Sequence, residues 1–222
     1  MKEKLEYTIT FIITILMMIY IESNIRNHEF YHNVKQINDP FRLDVLVNKN
    51  NKLDESFIPT DLKKLDIRYS NEDKYMRYEA AKSFESLSAD ASLFGYSIVA
   101  VSCYRSYQYQ KKLYEGYVAE MGLEYADRSS ARPGHSEHQT GLAVDVMGSN
   151  KDYDLFEASN EFEWMKNNAH LYGFILRYPK DAEHITGFKY EPWHYRYIGV
   201  DISTYIYEND ITLEEYIKEK NR

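Results

Sequence analysis

The amino-acid sequence predicts a single α+β domain behind a short apolar N-terminal segment. Hydrophobic residues recur with two periods, three to four residues in some segments and two in others, and the segments do not alternate as regular βαβ units. The chain has 222 residues, of which 44% are hydrophobic, so one domain can bury a substantial core. Neither an internal repeat nor a low-complexity tract occurs.

The N-terminal segment, residues 7–21, has no charged side chain and is apolar apart from threonine and tyrosine hydroxyls. As a helix it would be about 22 Å long, shorter than the ~30 Å hydrocarbon core of a bilayer. It lacks the polar stripe of a soluble helix, and no Ala or Gly precedes Ala80 to form a signal-peptidase site. We therefore predict a membrane anchor or uncleaved signal at residues 1–25 and a polar tether at residues 26–40.

The domain itself is predicted to span residues 41–222. Its helices are predicted from the longer hydrophobic period, and its strands from short runs rich in apolar and β-branched residues. The first elements are a helix from a capping box at Ser70 to Gly95, a strand over 97–102, a helix through Leu113, Tyr117 and Met121 that Gly122 ends, and a long polar loop over 122–141. The remaining elements are a strand over 142–146, a helix through Phe162, Met165, Ala169 and Tyr172 that Gly173 ends, strands over 174–178 and 193–198, and a C-terminal helix capped by Thr212 and Glu215.

Charge and cysteine content exclude several classes of protein. The 27 Lys and Arg residues against 35 Asp and Glu give a net charge of −8, which repels a phosphate backbone, so no nucleic-acid partner is expected. The single cysteine, Cys103, allows neither an internal disulfide nor a Cys-based structural zinc site. Any metal ion must therefore be bound by histidines and carboxylates.

Two segments bring such ligands together. The strand over 142–146 sends its apolar side chains to one face and Asp145 to the other, where His138 from the preceding loop can reach it. A second predicted strand presents His194 on the face opposite its aromatic residues. Pairing of the two strands would bring His138, Asp145 and His194 to one point.

Three N or O ligands with a vacant position for water are what a catalytic zinc requires. Glu191, three residues before His194, is a candidate base, although strict strand alternation would point it away unless Pro192 interrupts the strand. The spacing of these residues alone does not decide between a metal site and a structural role for each of them. An isolated histidine or aspartate is more often a structural or capping residue, and His135 competes with His138 as a ligand. The other histidines are expected to be structural or exposed: His28, His32, His170 and His184.

Three runs of sequence resemble one known family. Residues 102–106, 136–145 and 191–196 are similar to the three signatures of the VanY-type D-alanyl-D-alanine carboxypeptidases. These enzymes belong to the zinc peptidase group that also contains lysostaphin-like enzymes and the hedgehog signalling domain. The resemblance covers about residues 41–200, including Leu46–Lys49 near the start of the domain. It implies a small central antiparallel sheet flanked by helices.

The resemblance also implies a role for individual residues. The implied zinc ligands are His138, Asp145 and His194, the implied general base is Glu191, and the residues assigned to substrate binding are Arg105, Ser136 and Gln110. One position departs from the pattern, because Cys103 stands where the family usually has glycine. Its side chain would either narrow the approach to Arg105 or point into the core, and it also raises the alternative of a cysteine nucleophile.

The activity that the resemblance implies is zinc-dependent removal of the C-terminal D-alanine from peptidoglycan stem peptides. Such a substrate would place the catalytic domain outside the cytoplasmic membrane, held there by the anchor, with a link either to glycopeptide resistance or to routine wall trimming. An L,D-carboxypeptidase or an endopeptidase acting on peptidoglycan peptides is an alternative that the motifs do not separate. A non-catalytic wall-binding module with structural zinc is a second alternative, against which the intact Glu191 argues.

Overall fold

The computed structural model describes residues 7–18, 30–148 and 152–222. Its centre is a four-stranded antiparallel sheet in the order β5-β6-β8-β7. The strands are β5 (Val99–Ser102), β6 (Ala143–Met147), β7 (Phe174–Leu176) and β8 (His194–Tyr197). Two small two-stranded sheets accompany it, formed by β1 (Lys35–Gln36) with β2 (Asn51–Lys52) and by β3 (Leu62–Lys64) with β4 (Tyr75–Arg77). This is the α+β architecture that the sequence predicts.

Helices surround the central sheet. Apart from α1, which covers residues 7–18, they are α2 (Tyr78–Leu93), α3 (Tyr107–Met121), α4 (Leu123–Ser129), α5 (Tyr153–Phe156), α6 (Asn160–Asn168), α7 (Glu183–Thr186), α8 (Val200–Asn209) and α9 (Leu213–Lys220). Short 3₁₀ helices cover Ile67–Tyr69, Glu137–Thr140 and Ala169–Tyr172.

The main core lies between α2 and one face of the central sheet. Phe84 and Leu87 of α2 are fully buried with Val144 and Val146 of β6. Since strand side chains alternate, burying Val144 and Val146 turns Asp145 to the opposite face. The apolar period of β6 thus positions an acidic side chain where a site can form.

Two predicted elements differ from the observed ones, and one observed helix was not predicted. The helix predicted from Ser70 begins only at Tyr78, because residues 75–77 pair with β3 instead, and Met76 is buried from that strand. The predicted loop over 122–141 contains α4, which buries only Ala126 and therefore leaves no apolar period to detect. Helix α8 was not predicted, since its tyrosines and β-branched residues are poor helix formers. The C-terminal helix does begin with the predicted capping box.

The N-terminal region differs in part from its prediction. Within the described residues, no helix has both the length and the apolar character needed to cross a membrane. Helix α1 covers part of the predicted anchor, and residues 1–6 and 19–25 lie outside the described residues, so the anchor stays a prediction. The assigned tether contacts the domain, because β1 pairs with β2 and the Tyr31 ring packs against His135 with centroids 5.0 Å apart.

Candidate active site

A cavity of about 380 Å³ lies over the polar face of the central sheet. Asp145 on β6 stands directly opposite His194 on β8 in the strand register. His138 comes from the 3₁₀ helix that precedes β6, and Gly141 joins the two with a φ of 68°. A Cβ at Gly141 would lie 3.0 Å from Leu62, so both the turn and the packing require glycine. This turn delivers His138 to the face that carries Asp145.

The three side chains converge as the sequence predicts. One ligand atom from each of His138, Asp145 and His194 can be chosen so that all lie within 4.8 Å of one another. Asp145 Oδ1 is 3.0 Å from His194 Nδ1 and 3.3 Å from His138 Nε2. All three side chains are buried. Two imidazoles and a carboxylate at these separations are a donor set that suits zinc.

Neighbouring oxygen atoms face the ring nitrogens of both histidines. His138 Nδ1 lies 2.6 Å from the carbonyl oxygen of Cys103, so it carries the proton and Nε2 is the nitrogen that faces Asp145. His194 Nε2 faces Glu137 at 3.5 Å, which leaves Nδ1 toward Asp145. Partners of this kind behind a ligand fix the tautomer and orientation of its ring.

The surroundings of the Asp145 carboxylate test whether a cation fits among the three clustered side chains. Its Oδ1 is buried and has no hydrogen-bond partner among the described residues. A buried acceptor without a donor is costly, so an atom of this kind calls for an explanation. A cation held by Oδ1, His138 Nε2 and His194 Nδ1 would supply the missing interaction. The residues present therefore fit a metal ion.

Electrostatics keep Asp145 ionised. Burial alone would raise the pKa of its carboxyl, but the positive charges of His194 and Arg105 hold it well below the usual range. Burial raises the pKa of Glu191 to about 7, and the nearby Asp145 charge adds to the rise. Glu191 Oε2 lies 3.6 Å from His194 Nδ1 and is not one of the three clustered donors. Its carboxyl is therefore poised to exchange a proton near neutral pH.

Arg105 reaches the same cluster from the opposite side. One terminal nitrogen of its guanidinium lies 2.8 Å from Asp145 Oδ2 and 2.9 Å from His138 Nε2. Gln110 accepts from the other terminal nitrogen at 3.1 Å, and Ser102 Oγ accepts from Nε at 2.9 Å. Gln110 is 1% exposed and is hydrogen-bonded to Arg105, so it can orient that side chain. The predicted substrate contact of Gln110 stays a prediction.

Of the remaining residues singled out in the sequence, one lines the cavity and two point away from it. Ser136 lines the cavity, as Arg105 and Glu191 do. His135 points away and pairs its Nδ1 with the carbonyl oxygen of Asn48 at 2.8 Å, which leaves His138 as the histidine of this turn that reaches Asp145. Cys103 is 2% exposed in the main core, and burial raises the pKa of its thiol. A buried thiol of this kind is a poor nucleophile.

Comparison with known proteins identifies the family. A family model described as VanY, D-alanyl-D-alanine carboxypeptidase, matches residues 73–200. The chain belongs to the VanY family. The chain is 39% identical over 216 residues to the putative carboxypeptidase YodJ of Bacillus subtilis, covering 89% of this chain and 79% of the relative. It is 40% identical over 176 residues to the bifunctional D-Ala-D-Ala dipeptidase and carboxypeptidase VanXYC of Enterococcus gallinarum, covering 77% of this chain and 91% of the relative.

Solved structures of VanY-like enzymes share the fold. The LD-carboxypeptidase LdcB matches with a TM-score of 0.79 and 40% identity, covering 84% of this chain and 91% of that one. VanYB in complex with D-alanine-D-alanine matches with a TM-score of 0.68 and 31% identity, covering 79% of this chain and 97% of that one. A VanY D,D-pentapeptidase mutant in complex with Zn(II) also matches at 0.68, with 32% identity and coverage of 78% and 98%. The protein is thus a carboxypeptidase of the VanY family.

Sequence reasoning missed several residues of this VanY-family cavity. Tyr109, Leu113 and Tyr117 form one wall, because a spacing of four residues places them on one face of α3. Tyr153 packs edge-on against Trp193 in another wall, with ring centroids 5.2 Å apart. The period along α3 was visible in the sequence, but the period alone does not distinguish a cavity wall from a core.

The protonation of His194 would make the binding of a cation at this cluster depend on pH. Burial would lower the pKa of this ring, but the neighbouring carboxylates of Asp145 and Glu137 outweigh that effect and raise the pKa to about 9. Burial and Arg105 lower the pKa of His138 to about 4, so that ring is already neutral. A cation must therefore displace one proton, from His194, at neutral pH.

We expect the dissociation constant for zinc to rise about tenfold for each unit that the pH falls, between about pH 8.5 and 6. Competition titrations with a chromophoric chelator across this range measure the slope. A dissociation constant that did not change with pH would contradict the assignment of that proton to His194.

Proposed function

We propose that the protein is a zinc-dependent D-alanyl-D-alanine carboxypeptidase that removes the terminal D-alanine from peptidoglycan stem peptides. The observation that supports this most strongly is the convergence of a His-Asp-His cluster, Glu191 and Arg105 in one cavity. That set contains a metal site, a base and a cation for the carboxylate of the substrate.

The metal would be held by His138, Asp145 and His194. When bound there, zinc supplies Lewis-acid polarisation of the scissile carbonyl and of the attacking water. Supporting observations are the unpartnered Oδ1 of Asp145 and the presence of Zn(II) in the VanY D,D-pentapeptidase structure. The described donors leave the open position that a catalytic site needs, because Glu191 stands outside the cluster.

Glu191 would act as general base and then as general acid. Its carboxylate takes the proton of the attacking water and returns it to the leaving amine of D-alanine. A pKa near 7 suits both steps, since a group with a pKa near the working pH both accepts and donates readily. The turn of residues 191–194, closed by the backbone bond from His194 N to Glu191 O at 3.1 Å, brings this side chain beside the cluster.

Arg105 would recognise the end of the substrate. A guanidinium pairs with a carboxylate through two parallel hydrogen bonds, and the last residue of a peptide carries such a group at the end of its main chain. Arg105 is held in the cavity by Ser102 and Gln110, so its position is defined before substrate arrives. This contact would make the enzyme cut one residue from the chain end. Ser136 would contribute a hydroxyl beside the scissile bond.

An L,D-carboxypeptidase acting on tetrapeptide stems is the second candidate, and the match to LdcB favours it. Either substrate lies outside the cytoplasmic membrane or faces it, so we also propose an extracytoplasmic, membrane-anchored location for the domain. Removal of the terminal D-alanine from pentapeptide stems would serve either glycopeptide resistance or routine wall trimming.

Mass spectrometry of defined muropeptides tests this function. We expect loss of one D-alanine from pentapeptide stems, no cleavage of tetrapeptide stems, and no reaction with chelator present. A pentapeptide capped as its C-terminal amide is the matched control, and it should react poorly because it offers Arg105 no carboxylate. Cleavage of tetrapeptide alone would favour the L,D reading, and hydrolysis of the capped peptide at full rate would remove the role of Arg105.

A further inference from the structure

A buried cluster of four charged side chains lies behind the metal site. Glu137 Oε1 accepts from Arg177 Nε and from an Arg196 terminal nitrogen, both at 2.8 Å. Arg177 then pairs with Glu214 through two further hydrogen bonds of 2.7 and 2.8 Å. The side chains of Glu137, Arg177 and Arg196 are 0% exposed, and that of Glu214 is 12% exposed. Two carboxylates and two guanidiniums balance, so the cluster has no net charge.

The cluster leaves one polar atom directed at the site. Glu137 Oε2 and His194 Nε2 are both buried, and neither has another hydrogen-bond partner in the described part of the chain. They face each other at 3.5 Å. With Oε1 fixed by two guanidiniums, the Glu137 carboxylate cannot rotate away from the ring. His194 is thus oriented by a carboxylate, whereas the backbone carbonyl of Cys103 orients His138.

The outer members of the cluster come from the flanks of the domain. Glu214 is the second residue of α9, and the family match ends at residue 200. Asn48 donates to Glu214 Oε1 at 3.2 Å, and Arg196 donates to the carbonyl oxygens of Leu43 and Val45. Leu43, Val45 and Asn48 precede the start of the match at residue 73. Both flanks therefore contribute to holding Glu137.

The energetics of buried ion pairs indicate that this cluster orients side chains more than it stabilises the fold. Burying two ion pairs costs desolvation that their attraction barely offsets, and apolar replacements of similar shape are often as stable. Removing one partner is different, because it leaves an uncompensated buried charge. The directional bonds of the cluster, which apolar packing lacks, fix where Glu137 points.

We propose that Glu137 is a positioning residue for His194 and that Glu214, acting through Arg177, holds Glu137 in place. The C-terminal helix α9 is then part of the metal site although it contributes no ligand. This inference rests on the metal site of the proposed function. It adds that residues outside the shared motifs set the affinity of that site.

Zinc affinity of the full chain tests the inference, measured by competition with a chelator. We expect Glu137→Gln to weaken zinc binding ~10–100-fold, as loss of a partner behind a ligand does, and Glu214→Gln to weaken it by a smaller factor. Glu219→Gln is the matched control, since it removes the same charge from the exposed face of α9. Its affinity should equal that of the unmodified chain.

A second control separates a specific effect on zinc affinity from a general loss of stability. Ile206→Ala removes apolar packing between α8 and α9 without touching the charged cluster. It should lower the melting temperature yet leave zinc affinity unchanged in the folded protein. Unchanged affinity in both Glu137→Gln and Glu214→Gln, or equal weakening in Ile206→Ala, would overturn the inference and leave the proposed function standing. Normal zinc binding without hydrolysis of any stem peptide would overturn the proposed function, and the affinities of the variants would still decide the inference.

Discussion

Glu191→Gln is expected to lower kcat by ~10²–10⁴-fold, the range that a general acid–base group contributes. Glutamine keeps the size of the side chain but can neither accept the proton of the attacking water nor return it to the leaving amine. Because Glu191 lies outside the three clustered donors, zinc should stay bound with unchanged stoichiometry. D-alanine release from a pentapeptide and the metal content of the same sample are the two measurements.

The matched control for Glu191 is Glu208→Gln. Glu208 is exposed on α8, so the same chemical change there should leave turnover and metal content as they are. Glu191→Ala should lose as much turnover as Glu191→Gln, since the loss comes from the missing carboxylate. If either variant kept full turnover, Glu191 would not be the base.

Asp145→Asn is expected to weaken zinc binding by more than the ~10–100-fold that loss of an outer partner costs, and to abolish turnover with it. Asparagine is nearly the same size but carries no charge, so it loses the attraction that a carboxylate exerts on a dication. It also removes the charged acceptor that Arg105 contacts at 2.8 Å. The substitution therefore affects both the metal and the residue assigned to the substrate.

Chelator competition measures the affinity of Asp145→Asn, with Asp39→Asn as control. Asp39 is exposed and remote from the cluster, so its variant should bind zinc as the unmodified chain does. Excess zinc should restore part of the turnover of Asp145→Asn if weak binding is the cause. Tight zinc binding by Asp145→Asn would exclude Asp145 as a ligand.

The ligand cluster was predictable because its geometry follows from local rules. Apolar residues on alternate positions of β6 fix the face of Asp145, and the paired strand places His194 opposite. Glu191 was less predictable, since strict alternation points it away. The structure resolves this through a turn, because Pro192 and Trp193 precede the strand and the chain folds back at Glu191.

Other features depend on contacts that are distant in sequence. Glu137 stands between two motif residues, but nothing local indicates that arginines 40 and 59 positions downstream would surround it. The start of α2 was misplaced for a related reason. Met76 fits the helical period, yet the pairing of residues 75–77 with β3 takes their backbone hydrogen bonds. Long-range pairing overrides local preference in such segments.

Cys103 serves the site through its main chain. Its carbonyl oxygen receives His138 Nδ1, while its sulfur is enclosed in the core and 2% exposed. Every amino acid provides that carbonyl, so the side chain at this position can vary to suit the packing without disturbing the orientation of His138. The same enclosure shields the sulfur from peroxide and from alkylating drugs, so an inhibitor would have to be designed against the cavity around His138, Asp145 and His194 instead of the thiol.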